Sequence, residues 1–261
     1  MKPNKAVVLF TNSYEDLKQK RTFISSKVSS SQILDLFLNQ TINTLLRARK
    51  SIDFDIIISC NICSKEKISR KLQHSESISA QNHVKFLIQS GENFKERFID
   101  SLKRVRDLGY GQIVSIGNDS PSLSSEIIIH SFKKLDSGND VVLGPSFDGG
   151  FYLLGLTFIS QSDQIWDEKI FDDIEWQTAS VFNKLTRNLI LLHYNYYLLP
   201  KLFDIDTGKD FVHWLKFRSQ LSLLIKFLLQ QQIYNHHNFY FPIINKQVTF
   251  AKEKSQKSPP F

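Results

Sequence analysis

Short apolar runs alternate with longer amphipathic segments along the first 156 residues of the chain. The runs are four to six residues long, continuous and rich in β-branched side chains, which is typical of strands buried on both faces. The pattern therefore predicts six strands, at residues 6–10, 55–59, 84–88, 113–116, 140–143 and 151–156.

Between these runs, apolar residues recur at intervals of three and four, the period of an α-helix with one buried face. They predict helices at residues 31–50, 94–108 and 124–135, and a more polar one at 65–72. Strands that alternate with helices form a mostly parallel sheet. We therefore predict an α/β protein, built as a three-layer α/β/α sandwich.

The pattern is less regular after residue 156. It predicts a helix at 178–189, a strand at 190–199 and a long helix at 209–231. We expect loose packing from residue 235 and disorder at 252–261. The predicted organisation is a catalytic domain, residues 1–232, and a basic, partly disordered C-terminal extension, residues 233–261.

Composition and charge fit a soluble globular protein, with 41% hydrophobic and 23% charged residues. Apolar runs fall well short of the roughly 18 residues of a membrane span, and the first ten residues do not resemble a secretory signal. We therefore expect a cytoplasmic protein. The net charge of +7 owes much to four lysines near the C-terminus, and no interleaved aromatic and basic motif indicates nucleic-acid binding.

Several familiar motifs are absent or incomplete. The sequence has no GxSxG, Walker A or GxGxxG motif, which argues against hydrolase, P-loop and dinucleotide-binding classes. Cys60 and Cys63 form one CxxC, which suits a redox pair or half of a zinc site. Because no second CxxC or HxxxH follows, we interpret the two cysteines as small residues that close a strand.

Acidic residues follow two of the predicted strands, where α/β sheets bind their ligands. Asp119 follows the strand at 113–116, Asp148 follows the strand at 140–143, and Asp204 and Asp206 lie further along the chain. Carboxylates suit a hard cation such as Mg²⁺ or Mn²⁺. Two other roles stay open: Asp119 fits a turn, and Asp206 fits a helix N-cap.

Two further segments have a functional and a plain interpretation. Gly149 and Gly150 follow Asp148 and either allow a ligand close to the backbone or form an ordinary tight turn. Lys20 and Arg21 lie in the loop after the first strand, where cations suit phosphate groups but are also common as solvated surface charges.

Four motifs together resemble a known family. They are IGNDSPSL at 116–123, VVLGPSFDGGFYLLGL at 141–156, IFDDIEWQTASVFNKLT at 170–186 and FDIDTGKDF at 203–211. Their order and spacing are similar to those of the bacterial glycosyltransferase-A-like transferases that accompany radical-SAM and selenium-related domains. That family is similar in turn to molybdenum-cofactor and phospholactate guanylyltransferases.

The resemblance implies a nucleotide-diphospho-sugar transferase fold and a role for each matching residue. Asp119 would bind Mg²⁺ or Mn²⁺, and Asp206 would be a second contact to the metal or the diphosphate. The resemblance also implies substrate contacts, from Lys20, Arg21, Asp148, Gly149, Gly150, Trp176 and Thr178. The chain departs from the family pattern at the proline–glycine turn after the first strand, at Asn118 and at Gln177.

Three functions follow from the resemblance and the acidic residues. The first is a metal-dependent transfer of a sugar from a nucleotide-diphospho-sugar to a small acceptor, with Asp119 and Asp148 as catalytic residues. The second is nucleotidyl transfer from a nucleoside triphosphate to a phosphorylated acceptor. The third is a non-catalytic nucleotide-binding protein. The donor, the acceptor and the oligomeric state stay open.

Overall fold

The computed structural model describes residues 4–11, 30–73, 83–158 and 168–205. All of them belong to one compact unit, Met1–Leu221. The predicted helix at 209–231, the domain boundary at 232 and the C-terminal extension lie outside the described residues, and they stay predictions.

A seven-stranded sheet forms the centre of the fold. Its strands are β1 (Lys5–Phe10), β2 (Asp55–Cys60), β3 (Val84–Ile88), β4 (Gln112–Ile116), β5 (Val141–Pro145), β6 (Phe151–Thr157) and β7 (Tyr196–Leu198). They lie in the order β3-β2-β1-β4-β6-β5-β7. Within this described sheet β6 alone runs antiparallel to its neighbours.

Helices cover both faces of the sheet. They are α1 (Ser30–Arg49), α2 (Ile62–Gln73), α3 (Phe94–Asp107), α4 (Ser125–Asp136) and α5 (Val181–Leu191), with a short 3-10 helix at Glu168–Phe171. Successive strand residues point to opposite faces, so that Val8 packs with α3 and α5 while Val7 packs with α1 and α4. The two cores confirm the predicted three-layer α/β/α sandwich.

The six predicted strands and the helices up to residue 136 are confirmed, with ends displaced by a few residues. The strand predicted at 190–199 is confirmed only over Tyr196–Leu198, and its first part is wrong. Helix α5 continues to Leu191, and it ends where His193 adopts a positive φ of 58°. The buried residues Val181, Leu185 and Leu189 recur every four positions up to the predicted end of the helix, whereas the two residues beyond it, Ile190 and Leu191, are exposed. Only Tyr196–Leu198 then pairs with β5.

The position of Cys60 confirms that this cysteine of the CxxC motif closes a strand. It is the last residue of β2 and is fully buried, and burial raises the pKa of its thiol to about 11. The thiol is therefore protonated at neutral pH and is a poor metal ligand or nucleophile.

The helices within the described ranges include none that is long and apolar enough to cross a membrane. The cytoplasmic location stays a prediction.

At the amino edge of the sheet, the buried carboxylate of Asp55 contacts the partly exposed Lys85 and the buried Tyr110. Lys85 Nζ lies 2.7 Å from its carboxylate, and Tyr110 donates a hydrogen bond of 2.5 Å. Burial by itself would raise the pKa of Asp55, but the hydrogen bonds from Lys85 and Tyr110 outweigh it and lower the pKa below its ordinary value. The carboxylate therefore stabilises the fold at neutral pH.

We expect Asp55→Asn to lower the free energy of unfolding by about 1–3 kcal/mol, since it removes the negative charge that accepts the hydrogen bonds of Lys85 and Tyr110. Because the folded-state pKa is lowered, the loss should be full above about pH 4 and should shrink as the pH falls further. Urea unfolding at several pH values measures this. Asp53→Asn is the control, because its ion pair with Arg49 is exposed and is expected to contribute about 1 kcal/mol or less. Equal losses in the two variants would contradict the account.

Candidate active site

The candidate site lies at the carboxyl edge of the sheet. Asp119 belongs to the turn that follows β4, and its Oδ1 folds back over the backbone of Gly117. Asp148 belongs to the turn between β5 and β6. Since β4 and β5 are parallel and flank β6, both turns leave the sheet at the same edge, as the sequence predicted.

A third acid reaches this edge through the segment 199–205, which continues beyond β7. The segment follows β5, with hydrogen bonds from Leu199 N to Leu143 O and from Leu202 N to Pro145 O. It then reaches the turn after β4, where Ile205 N donates to Asp119 O at 2.9 Å. This path brings Asp204 beside the turns that carry Asp119 and Asp148.

Tyr152 stabilises this path. Its ring packs against Gly144, where an added Cβ would lie 2.5 Å from the ring, and its hydroxyl donates to Pro200 O at 2.9 Å. Burial, followed by the negative charge of Asp204, raises the pKa of the Tyr152 hydroxyl, which therefore stays protonated as a donor.

Asp204 has the most perturbed carboxyl group of the site. Burial, together with the negative charges of Asp119 and Asp148, raises its pKa to about 8, although hydrogen bonds from Ser120 and Ser146 act in the opposite direction. Ser120 Oγ donates directly to Asp204 Oδ1. The three carboxyl groups are thus close enough to interact, and one of them holds a proton at neutral pH.

The turn at 146–150 fixes Asp148. Ser146 Oγ and Gly150 N both donate to Asp148 Oδ1, the second at 2.9 Å, and Ser146 N donates to Gly150 O at 3.0 Å. The Asp148 side chain is nevertheless exposed. One carboxylate oxygen therefore holds the turn, while the carboxyl group stays accessible to a ligand.

Gly149 is required by the fold at this turn. Its φ is +91°, and a Cβ at this position would overlap the carbonyl oxygen of Ala179. Phe182 N also donates to Gly149 O at 2.9 Å, so the turn is attached to the start of α5. The glycine thus allows the close approach of two backbone segments, which explains the residue without any ligand.

We expect Gly149→Ala to lower the free energy of unfolding by about 3–5 kcal/mol, the range of severe point substitutions. Gly109→Ala is the matched control: its φ is +86°, but nothing lies within 4 Å of the added Cβ. It should lose only the conformational strain, about 1–2 kcal/mol. Urea denaturation measures the stability of both variants. Equal losses of unfolding free energy would show that the backbone at Ala179 can move aside without destabilising the fold.

The segment before α5 contains two predicted substrate contacts. Trp176 packs its ring among Phe94, Phe98 and Phe171, with centroids 5.2–5.7 Å away, and its Nε1 is buried without a hydrogen-bond partner in the described structure. Thr178 is exposed and donates to Glu175 O at 2.7 Å. Trp176 thus has the contacts of a core residue, and both predicted substrate roles stay predictions.

Three predicted site residues cannot be placed, since Lys20, Arg21 and Asp206 lie outside the described residues. Asn118, one of the positions that depart from the family pattern, is 3% exposed, and its Nδ2 has no hydrogen-bond partner in the described ranges. A buried donor of this kind is normally satisfied by water or a ligand. It lies next to Asp119.

The chemistry of the site fits a hard divalent cation, since its acids offer oxygen ligands and their mutual repulsion would be relieved by positive charge. Within the described residues, however, no group of three or more His, Cys, Asp or Glu side chains is placed to hold a metal ion. Of the two predicted metal ligands, Asp119 is described and Asp206 is not, so the metal site stays a prediction.

Sequence reasoning named Asp204 but chose Asp206 as the ligand, and it missed Ser120, Ser146 and Tyr152. The two serines lie inside the quoted motifs, one and two residues from Asp119 and Asp148. A serine close to each acid in the sequence was the signal that could have indicated these hydrogen bonds. The position of Asp204 depends on the path of 199–205, which no local pattern indicates.

The chain is similar to several solved structures. A candidate nucleotide-diphospho-sugar transferase from Desulfovibrio desulfuricans G20 matches 89% of this chain and 96% of its own, with a TM-score of 0.66 and 19% identity. A 4-diphosphocytidyl-2C-methyl-D-erythritol synthase from Anaerococcus prevotii DSM 20548 matches 81% and 96%, with a TM-score of 0.49 and 11% identity. A cytidylyltransferase from Leptospira borgpetersenii serovar Hardjo-bovis (strain JB197) matches 92% and 99%, with a TM-score of 0.47 and 13% identity.

The first of these structures confirms the predicted nucleotide-diphospho-sugar transferase fold. The association with radical-SAM and selenium-related domains stays a prediction. No curated protein matches the sequence. The family model described as "Uncharacterized protein conserved in bacteria (DUF2064)" matches residues 45–178, just over half of the chain, which include Asp119 and Asp148. This chain therefore belongs to the DUF2064 family.

Proposed function

We propose that this chain is a metal-dependent transferase that acts on a nucleotide-activated substrate, and that it transfers a sugar from a nucleotide-diphospho-sugar. The observation that carries the proposal is the convergence of Asp119, Asp148 and Asp204 at the carboxyl edge of the sheet. In open α/β sheets this edge is where ligands bind. The fold is that of the candidate nucleotide-diphospho-sugar transferase from D. desulfuricans.

Asp119 and Asp206 are the residues that we propose to hold Mg²⁺ or Mn²⁺. When bound, the cation would neutralise the diphosphate and stabilise it as a leaving group. Asp204 supports this assignment, because burial and then the negative charges of Asp119 and Asp148 raise its pKa, and a cation would offset that negative charge. In the same proposal Lys20 and Arg21 contact the phosphates, and the buried Asn118 amide donates to a donor-substrate oxygen.

Asp148 is the proposed base for the acceptor hydroxyl. It is exposed, and hydrogen bonds from Ser146 and Gly150 orient it from the protein side. A base must reach the proton that it abstracts, and this carboxyl group keeps an accessible oxygen. Gly149, Gly150, Trp176 and Thr178 would shape the same side of the site through the turn and the segment before α5.

A thermal-shift screen of UDP-, GDP-, ADP- and CDP-sugars and the four nucleoside triphosphates, with and without Mn²⁺, tests the proposal. A ligand that binds the folded state raises the melting temperature. We expect a shift that needs both a diphospho-sugar and Mn²⁺. A shift of the melting temperature with a nucleoside triphosphate alone would favour nucleotidyl transfer over sugar transfer. No shift with any compound would indicate a non-catalytic protein.

A further inference from the structure

Two exposed phenylalanines stack on each other beside the candidate site. The rings of Phe147 and Phe203 have centroids 4.0 Å apart and lie 14° from parallel. They are 51% and 59% exposed, and neither belongs to or packs against the two hydrophobic cores of the described fold. Core packing therefore does not explain this aromatic pair.

The chain holds the aromatic pair next to two of the three acids. Phe147 directly precedes Asp148, and Phe203 directly precedes Asp204. The hydrogen bond from Phe147 N to Leu202 O, at 3.0 Å, joins the two segments and fixes the rings relative to each other. A molecule that stacks on the aromatic pair would consequently lie beside the acids.

The two rings differ in what covers their outer faces. Lys201 Nζ lies 4.9 Å from the Phe147 ring centroid. Since Phe203 stacks on one face of Phe147, the ammonium group occupies the other face as a cation–π contact. Within the described residues, the ring of Phe147 is the aromatic partner of Phe203. Phe203 is nevertheless 59% exposed, so its outer face is the candidate surface for a ligand.

The sheet order indicates which substrate this face would take. The aromatic pair follows β5 and the extension of β7, whereas the loop proposed to contact the phosphates follows β1. In the sheet, β4 and β6 separate β1 from β5, a span of roughly 14 Å at 4.7–4.9 Å per strand. The rings therefore lie on the side of the acids away from the phosphate loop, where the second substrate would approach.

We propose that the aromatic pair is the acceptor platform: Phe203 stacks a flat, uncharged ring whose hydroxyl group points to Asp148. This inference rests on the proposed sugar transfer. The nearby carboxyl groups disfavour an anionic acceptor, and the rings match a flat apolar face. In the reaction the hydroxyl oxygen forms a bond to the anomeric carbon, the bond from that carbon to the diphosphate breaks, and the hydroxyl proton goes to Asp148. The nucleoside diphosphate leaves with the bonding electron pair.

The test uses 2-naphthol, a flat and neutral hydroxyl compound, as a fluorescent probe titrated against the full chain. We expect binding that Phe203→Ala weakens about tenfold, since stacking on one aromatic ring contributes about 1–3 kcal/mol. Phe203→Trp should retain binding. Ile190→Ala is the control, because Ile190 is equally exposed, at 59%, but lies on α5. Cyclohexanol, which has a hydroxyl group but no flat face, should bind at least tenfold more weakly than 2-naphthol.

Three results would overturn the platform: no binding of 2-naphthol, equal binding by the wild type and Phe203→Ala, or equal binding of cyclohexanol. The donor screen is independent of this test. If diphospho-sugars bind with Mn²⁺ while 2-naphthol does not, the platform fails and the proposed function stands. If 2-naphthol binds through Phe203 and no nucleotide binds, the ring site stands without the proposed sugar transfer.

Discussion

Asp148→Asn is expected to slow the release of nucleoside diphosphate from the sugar donor by about 10²–10⁴-fold, the usual contribution of a general base. The substitution removes the group that takes the acceptor proton. It keeps the Oδ1 oxygen that accepts from Ser146 and Gly150, so the turn should keep its shape. Steady-state rates with the donor that gives the largest thermal shift measure the effect.

Two controls separate this loss of rate from a loss of structure. The donor should still raise the melting temperature of Asp148→Asn as it does for the wild type, because Asp148 is not assigned to the metal or the phosphates. Asp172→Asn, which changes an exposed acid near α5, should keep the wild-type rate. A rate for Asp148→Asn within about threefold of the wild type would show that another group is the base.

Asp204→Asn is expected to stabilise the protein in metal-free buffer. The folded-state pKa of Asp204 is raised from 3.8 to about 8, so the folded chain holds a proton that the unfolded chain releases. Stability therefore falls as the pH rises from about 4 to about 8. An asparagine accepts the Ser120 hydrogen bond without the charge. The gain should reach a few kcal/mol at pH 8, since one pKa unit corresponds to about 1.4 kcal/mol.

Urea denaturation in EDTA at pH 5, 6.5 and 8 measures the difference between Asp204→Asn and the wild type. The difference should increase across this series and level off above pH 8. Asp172→Asn should show no such trend, because its carboxyl group is exposed and is not among the charges that raise the pKa of Asp204. A gain that is the same at every pH, or a loss of stability, would contradict the raised pKa. A stabilising substitution at this position would indicate a site kept for function at a cost in stability.

The sheet could be predicted from the sequence because its strands are buried on both faces. A run such as residues 113–116 has no polar alternation, and in the structure every residue of β4 is buried. Asp119 and Asp148 could be placed for a related reason, since the turns at the ends of two parallel strands meet at one edge. The strand at 190–199 was predicted to start too early, because an apolar run next to a helix does not show whether the helix ends or continues. Here the helix continues to Leu191.

The choice between Asp204 and Asp206 could not be made from the sequence. In an extended segment, side chains two residues apart point to the same side, so the spacing alone treats both acids alike. The family resemblance favoured Asp206 as the ligand, while its position before a predicted helix also fits an N-cap. What places Asp204 is the hydrogen bond from Ile205 N to Asp119 O, together with the contact to Ser120. Such contacts between distant segments leave no local pattern.

The central claim is that the acids at the carboxyl edge bind a nucleotide-diphospho-sugar through a divalent cation. The most direct measurement is isothermal titration of the best diphospho-sugar of the screen into the wild type and Asp119→Asn, with Mn²⁺ and with EDTA. The account predicts binding by the wild type that needs Mn²⁺ and is weakened at least tenfold in Asp119→Asn. Equal affinity with Mn²⁺ and with EDTA, or unchanged affinity in Asp119→Asn, would contradict it.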